Sequence, residues 1–178
     1  MAVCAALITS AAAEPANTNT DNAIADAVTD EAELDALTPS DATTYCPNFE
    51  TLDVAARETF WRNLLVQIAE RESDGVATRT RWRPYDSAMH RPTFRRGLFQ
   101  ISTEAAESQR YQCAESSAAA LSEPAANAAC AAKILVRSIE ATGAIQGAGA
   151  YWPTIAHRRS RAQLAAQLST SSPCTQGK

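Results

Sequence analysis

The chain has 178 residues, enough for one domain with a real core and too few for two large ones. It is alanine-rich, with only 6% aromatic residues and 6 glycines, a composition that favours helices over a β-sandwich. The net charge of −4 hides an asymmetry: ten of the 20 acids precede Arg57, and all 16 basic residues lie from Arg57 onward, so residues 57–178 carry +6. Such a basic body suits an anionic polymer, whether nucleic acid, a lipid surface or an acidic cell wall, and equally a merely solvated surface. No apolar run approaches the roughly 18 residues that span a bilayer, so no transmembrane segment is expected.

In chain order, residues 1–13 (MAVCAALITSAAA) are apolar and end in an A-x-A pattern at Ala11 and Ala13. They read as a secretory signal peptide, truncated or unusual because it lacks a basic start, with cleavage before Glu14. Residues 14–45 are mostly Ala, Thr, Asn and Asp and read as a flexible acidic linker. Within it Ile24, Val28 and Leu34 could share one helical face. The compact domain spans residues 46–178.

Its first strong element runs from about Asp53 to Arg71, where Trp61, Leu65 and Ile68 recur at helical spacing. Residues 73–96 hold Gly75, Pro84, Pro92 and many arginines, which predicts an irregular loop or a small β-hairpin. A helix follows Ser102, with Glu104 and Glu107 in its opening turns. Another runs from Pro124 to Thr142, between an early proline and Gly143. A last helix starts at Ser160, where Ser160 and Gln163 fit a capping box.

Cys46, Cys113, Cys130 and Cys174 remain once the leader is removed. An even count beside an export signal points to two disulfides and to a periplasmic or secreted protein. Three connectivities are open; Cys113–Cys130 with Cys46–Cys174 is favoured, clipping a short loop and tying the domain's ends. No C-x-x-C pair exists, and His90 and His157 are isolated, so neither a metal nor another cofactor is expected.

Glu72 lies seven residues after Leu65 and eleven after Trp61, two steps that return to nearly the same helical face. Glu70 and Arg71 point elsewhere. A carboxyl on an apolar face loses solvation, which penalises its charged form and suits a general acid. By itself such a residue is more often a helix-end glutamate paired with a neighbouring arginine.

Further motifs follow. Ser73 is next to Glu72; then come Gly97-Leu98-Phe99-Gln100-Ile101-Ser102, Asn127 in the opening turn of a helix, and Ala150-Tyr151-Trp152. In this order and spacing they resemble the catalytic module of soluble lytic transglycosylases, from about Phe60 to Leu168: a helix ending in Glu-Ser, a Gly-Leu-Met-Gln-Ile motif, an Asn-started helix and a Tyr-Asn segment. The chain departs from that pattern where Phe99 replaces Met, where Arg95-Arg96 precede Gly97, and where Trp152-Pro153 follow Tyr151 in place of Asn-Ala-Gly.

The resemblance implies a lysozyme-like fold, mainly α with a small irregular or β excursion after the catalytic helix. It implies Glu72 as catalytic acid/base and Ser73, Gly97, Gln100 and Tyr151 as substrate-binding residues. The substrate would be the β-1,4 bond between MurNAc and GlcNAc in peptidoglycan, cleaved to 1,6-anhydro-muropeptides with help from the substrate's acetamido group. Glycan strands are the implied partner, and a secretion or cell-wall assembly machine is compatible with it.

Three alternatives compete. A hydrolytic lysozyme would use Asp74 or Asp86 to direct water. A peptidoglycan-binding module would keep the fold without turnover. A helical nucleic-acid binder would show steep salt dependence, but no recognition-helix motif supports it, and nucleic acid is not expected as a partner. Arg79, Arg81, Arg83, Arg91, Arg95 and Arg96 crowd the excursion, where they could grip the carboxylates of peptide stems or form a solvated anion patch. Trp82, Tyr111 and Trp152 could stack on sugars, though such residues more often pack in the core or at its rim.

Overall fold

The computed structural model describes residues 18–86, 90–146 and 150–175. The leader therefore lies outside the described residues. The architecture is mainly helical with one two-stranded sheet, as expected for a lysozyme-like domain.

Two long helices form its centre. Helix α4 (Val54–Ser73) starts where the Asp53 carboxylate accepts a hydrogen bond from the Ala56 N–H at 2.9 Å, satisfying one of the donors a helix start leaves open. It ends at Asp74, which takes a left-handed conformation. Its stripe of Trp61, Leu65 and Ile68 is fully buried, beside Phe60 and Leu64. Phe49, Phe60 and Trp61 pack edge to face, with ring centroids 4.9–5.7 Å apart. Burying each such side chain is worth about 1.5–3 kcal/mol. Helix α6 (Pro124–Thr142) has the predicted bounds. Pro124 occupies the first turn, where no N–H is needed, and Gly143 stops the helix in the left-handed region (φ +71°) with its N–H bonded to the Ile139 carbonyl.

The acidic segment departs from expectation. Residues predicted to be a flexible linker form α1 (Thr18–Asp30), α2 (Glu33–Ala36) and α3 (Ala42–Tyr45). Helix α1 packs on both α4 and α6, and Ile24, Val28, Leu34 and Tyr45 are buried. The shared face of Ile24, Val28 and Leu34 explains this. The segment is too polar to fold alone, but the domain supplies the apolar surface it needs. Lys133 of α6 reaches Glu31 at 3.4 Å and Glu33 at 3.2 Å across the same contact.

Strands β1 (Thr80–Asp86) and β2 (Arg91–Arg96) form the excursion, paired antiparallel with Arg81 opposite Arg95, Trp82 opposite Phe94 and Arg83 opposite Thr93. Alternation gives the sheet two faces. Thr93 and Arg95 are buried on one, whereas Trp82 and Phe94 stack exposed on the other, 4.9 Å apart. Helix α5 (Thr103–Ala106) is one turn, capped by Ser102.

Two further helices close the domain: α7 (Pro153–Ala156) and α8 (Arg158–Leu168). Helix α8 begins two residues before Ser160, so the predicted capping box does not form; His157 is the cap position and makes no side-chain cap bond. Disulfides Cys46–Cys174 and Cys113–Cys130 both form, the favoured connectivity. Among the described residues no helix is long and apolar enough to cross a membrane.

Candidate active site

Glu72 sits in the last turn of α4 and is only 4% exposed. Its Oε1 accepts a hydrogen bond from the Thr154 hydroxyl at 2.8 Å, a contact made across 82 residues of sequence. The carboxyl opens onto a cleft of about 430 Å³ between α4, β1, α7 and the start of α8. Arg71 lines it from α4, Arg81 and Arg83 from β1, and Thr154 from α7; His157, Ser160 and Gln163 complete the wall. Arg71, expected to point away from the Glu72 face, reaches the cleft through its long side chain, which is anchored on Gln67 and Gln167.

Glu72 is the one acid among the described residues lining this cleft. Asp74 faces solvent, 70% exposed, and pairs with Arg79. Asp86 is 1% exposed and held by the Arg95 guanidinium in a buried ion pair. Neither aspartate lines the cleft.

The other predicted site residues lie one layer behind. Ser73 is fully buried and its hydroxyl donates to the Ala69 carbonyl within α4. Gly97 and Gln100 bracket a tight loop in which both take positive φ, +76° and +49°. The Gln100 amide donates to the Gly97 carbonyl (2.9 Å) and to the Arg79 carbonyl (3.0 Å). Its Oε1 is buried without a partner among the described residues.

Three distant side chains hold the same loop. The Asn127 Oδ1 accepts from the Phe99 N–H at 2.8 Å, and its amide donates to the carbonyls of Leu121 and Arg96. The Trp152 indole donates to the Phe99 carbonyl at 2.8 Å. The Tyr151 hydroxyl donates to the Gln100 carbonyl and accepts from the Ser102 N–H. Burial pushes the Tyr151 hydroxyl up to about 12, so near neutral pH it is a hydrogen-bonding phenol rather than a base. The separated motifs thus converge because one strained loop needs its backbone groups satisfied.

Gly97 is required by space as well as conformation. A Cβ there would lie 2.3 Å from the Leu121 carbonyl oxygen and 2.4 Å from the Asn127 amide nitrogen. Gly97→Ala is expected to lower stability by about 2–3 kcal/mol, from positive-φ strain plus overpacking, as read by denaturant unfolding. An unchanged midpoint would show that the loop relaxes freely.

Sequence reasoning missed Thr154 and His157, and read Ser160 and Gln163 as a cap. The only trace of Thr154 was the Trp152-Pro153 departure, because Pro153 starts the short helix that turns Thr154 towards Glu72.

Fold and site together define a lysozyme-like helical domain with one acid among the described residues lining its cleft. The chain belongs to the transglycosylase SLT domain family, whose model matches residues 52–166. No curated protein matches it. Among solved structures it is similar to wild-type DslA (form 2), at 24% identity and a TM-score of 0.74. Two DslA variants, each with a glutamate changed to glutamine, give 24% and 22% identity with TM-scores of 0.74 and 0.72. Each match covers 87% of this chain and 90% of the other. At these identities the likeness is one of fold.

Proposed function

We infer that this chain is an exported lytic transglycosylase that cleaves the β-1,4 MurNAc–GlcNAc bond of peptidoglycan. One observation carries the reading: among the described residues the cleft is lined by a single carboxyl, Glu72, while both aspartates that could direct water are committed elsewhere. A two-carboxylate hydrolase needs its second acid across the scissile bond.

With one acid, the substrate supplies the second nucleophile. Glu72 gives its proton to the glycosidic oxygen, and the bond from that oxygen to C1 of MurNAc breaks through an oxocarbenium-like state. The acetamido carbonyl oxygen closes on C1. Glu72, now a carboxylate, takes the proton of the C6 hydroxyl; O6 attacks C1 as the acetamido oxygen leaves, forming the 1,6-anhydro ring and restoring the acid. Thr154 orients Oε1, leaving the other carboxyl oxygen for proton transfer. Ser73 secures the end of the catalytic helix. Gly97 and Tyr151 hold the loop that places Gln100 in the buried layer behind the cleft. The leader and the two disulfides support a periplasmic or secreted location.

Mass spectrometry of muropeptides released from purified wall tests the reaction. The expected products are lighter by one water than hydrolytic ones. Free reducing ends would keep Glu72 as the acid and replace this mechanism with that of a hydrolytic lysozyme.

A further inference from the structure

The six arginines of the excursion do not share one role. Arg79 is paired with Asp74, and Arg91 lies 3.7 Å from Glu104. Arg95 is buried against Asp86, and Arg96 lies over the Phe94 ring at 5.6 Å. Two remain, and both line the Glu72 cleft. Arg81 has only a 3.8 Å approach to Asp74, an exposed carboxylate already engaged by Arg79. The Arg83 side chain has no ion pair or hydrogen bond among the described residues. The two stand two positions apart on β1, hence on one face of the strand and about 6–7 Å apart along it. His157 lines the same cleft.

Two under-used guanidinium forks on one wall, with the only acid among the described lining residues reserved for proton transfer, form a receptor for carboxylate. The geometry points to a substrate-selecting subsite in which Arg83, aided by Arg81, grips a carboxylate carried by the glycan strand beside the scissile bond. This rests on the transglycosylase reading and adds to it that the strand is recognised by its charge as well as its sugars. Peptidoglycan offers that group in two places, the peptide stem and, on strands stripped of peptide, the lactyl ether of MurNAc.

The test is binding of soluble glycan strands of matched length to the Glu72→Gln chain, with three strand types: stem-bearing, denuded to the free lactyl carboxylate, and stem-bearing with carboxyls methyl-esterified. A strand lacking the recognised carboxylate is expected to bind about ten- to a hundredfold more weakly, the worth of a charge-assisted hydrogen bond or two. Arg83→Gln combined with Arg81→Gln should weaken binding of the unesterified strands to the esterified level and leave esterified strands unaffected. Stem-bearing strands binding more tightly than the other two would assign the stem; denuded strands binding more tightly than the other two would assign the lactyl group, which a stem-bearing strand holds as an amide. Equal binding of all three strand types, or discrimination retained in the double variant, would overturn the proposal. So would a DNA oligonucleotide that displaces the strand with equal affinity at equal salt, which would mark a general anion patch. Because no turnover is read, a chain that never cleaves wall leaves this test intact.

Discussion

Glu72→Gln is expected to lower the rate of wall cleavage by at least about a thousandfold while leaving the fold unharmed. The substitution keeps the shape and the apolar contacts of the side chain at the end of α4. The glutamine carbonyl can still accept the Thr154 hydroxyl, which now bonds Oε1. What changes is the second position, where an amide N–H is far too weak an acid to protonate a leaving glycosidic oxygen. General acid–base help contributes about 10²–10⁴-fold, and here one group acts in both steps with no second acid in the described cleft to replace it. Stability should stay level or rise slightly, since a shielded carboxyl is replaced by a neutral amide. Clearance of a wall suspension, measured beside thermal unfolding, separates the outcomes. Undiminished clearance would reject the site. Native and variant proteins that bind strands alike and never clear the suspension would identify a binding module.

The second large effect belongs to Asp86. Its carboxylate and the Arg95 guanidinium are both out of solvent, and the guanidinium lies 4.6 Å from the centroid of the Tyr151 ring. Burial opposes the charge on Arg95, while its hydrogen bond to Asp86 and the neighbouring negative groups hold the guanidinium above its ordinary value. Asp86→Ala would leave a buried cation without its partner against the layer that carries Tyr151 and the Gln100 loop. Losing one member of a buried pair costs about 3–5 kcal/mol. Replacing both members, as in Asp86→Leu with Arg95→Met, should recover most of that loss, because the uncompensated charge is gone. Denaturant unfolding of the single and double variants is the measurement. A single variant as stable as the native chain would mean that water reaches Arg95 and that the pair is not a buried one.

Several features were legible in the residues because their causes are local. The stripe of Trp61, Leu65, Ile68 and Glu72 needs only a 3.6-residue period to read, and the bounds of α6 need only Pro124 and Gly143. The order of Glu-Ser, Gly-Leu-Phe-Gln, Asn127 and Tyr151 points by itself to the SLT domain family. The acidic segment was misread for a physical reason: composition reports whether a stretch can fold alone, not whether a neighbour offers it an apolar face. Ser160 and Gln163 were misread because a capping box specifies a start only if nothing upstream begins the helix earlier.

The sequence by itself determined the helical character of the chain, the candidate acid and the family, since each rests on periodicity or on residues close in order. Tertiary structure alone decided which groups meet Glu72. It brought Thr154 to the carboxyl, withdrew Asp74 and Asp86 from the cleft, and divided six similar arginines into paired and available ones. Those outcomes depend on which elements pack together and which charges find partners first, and long-range packing of that kind has no signature along the chain.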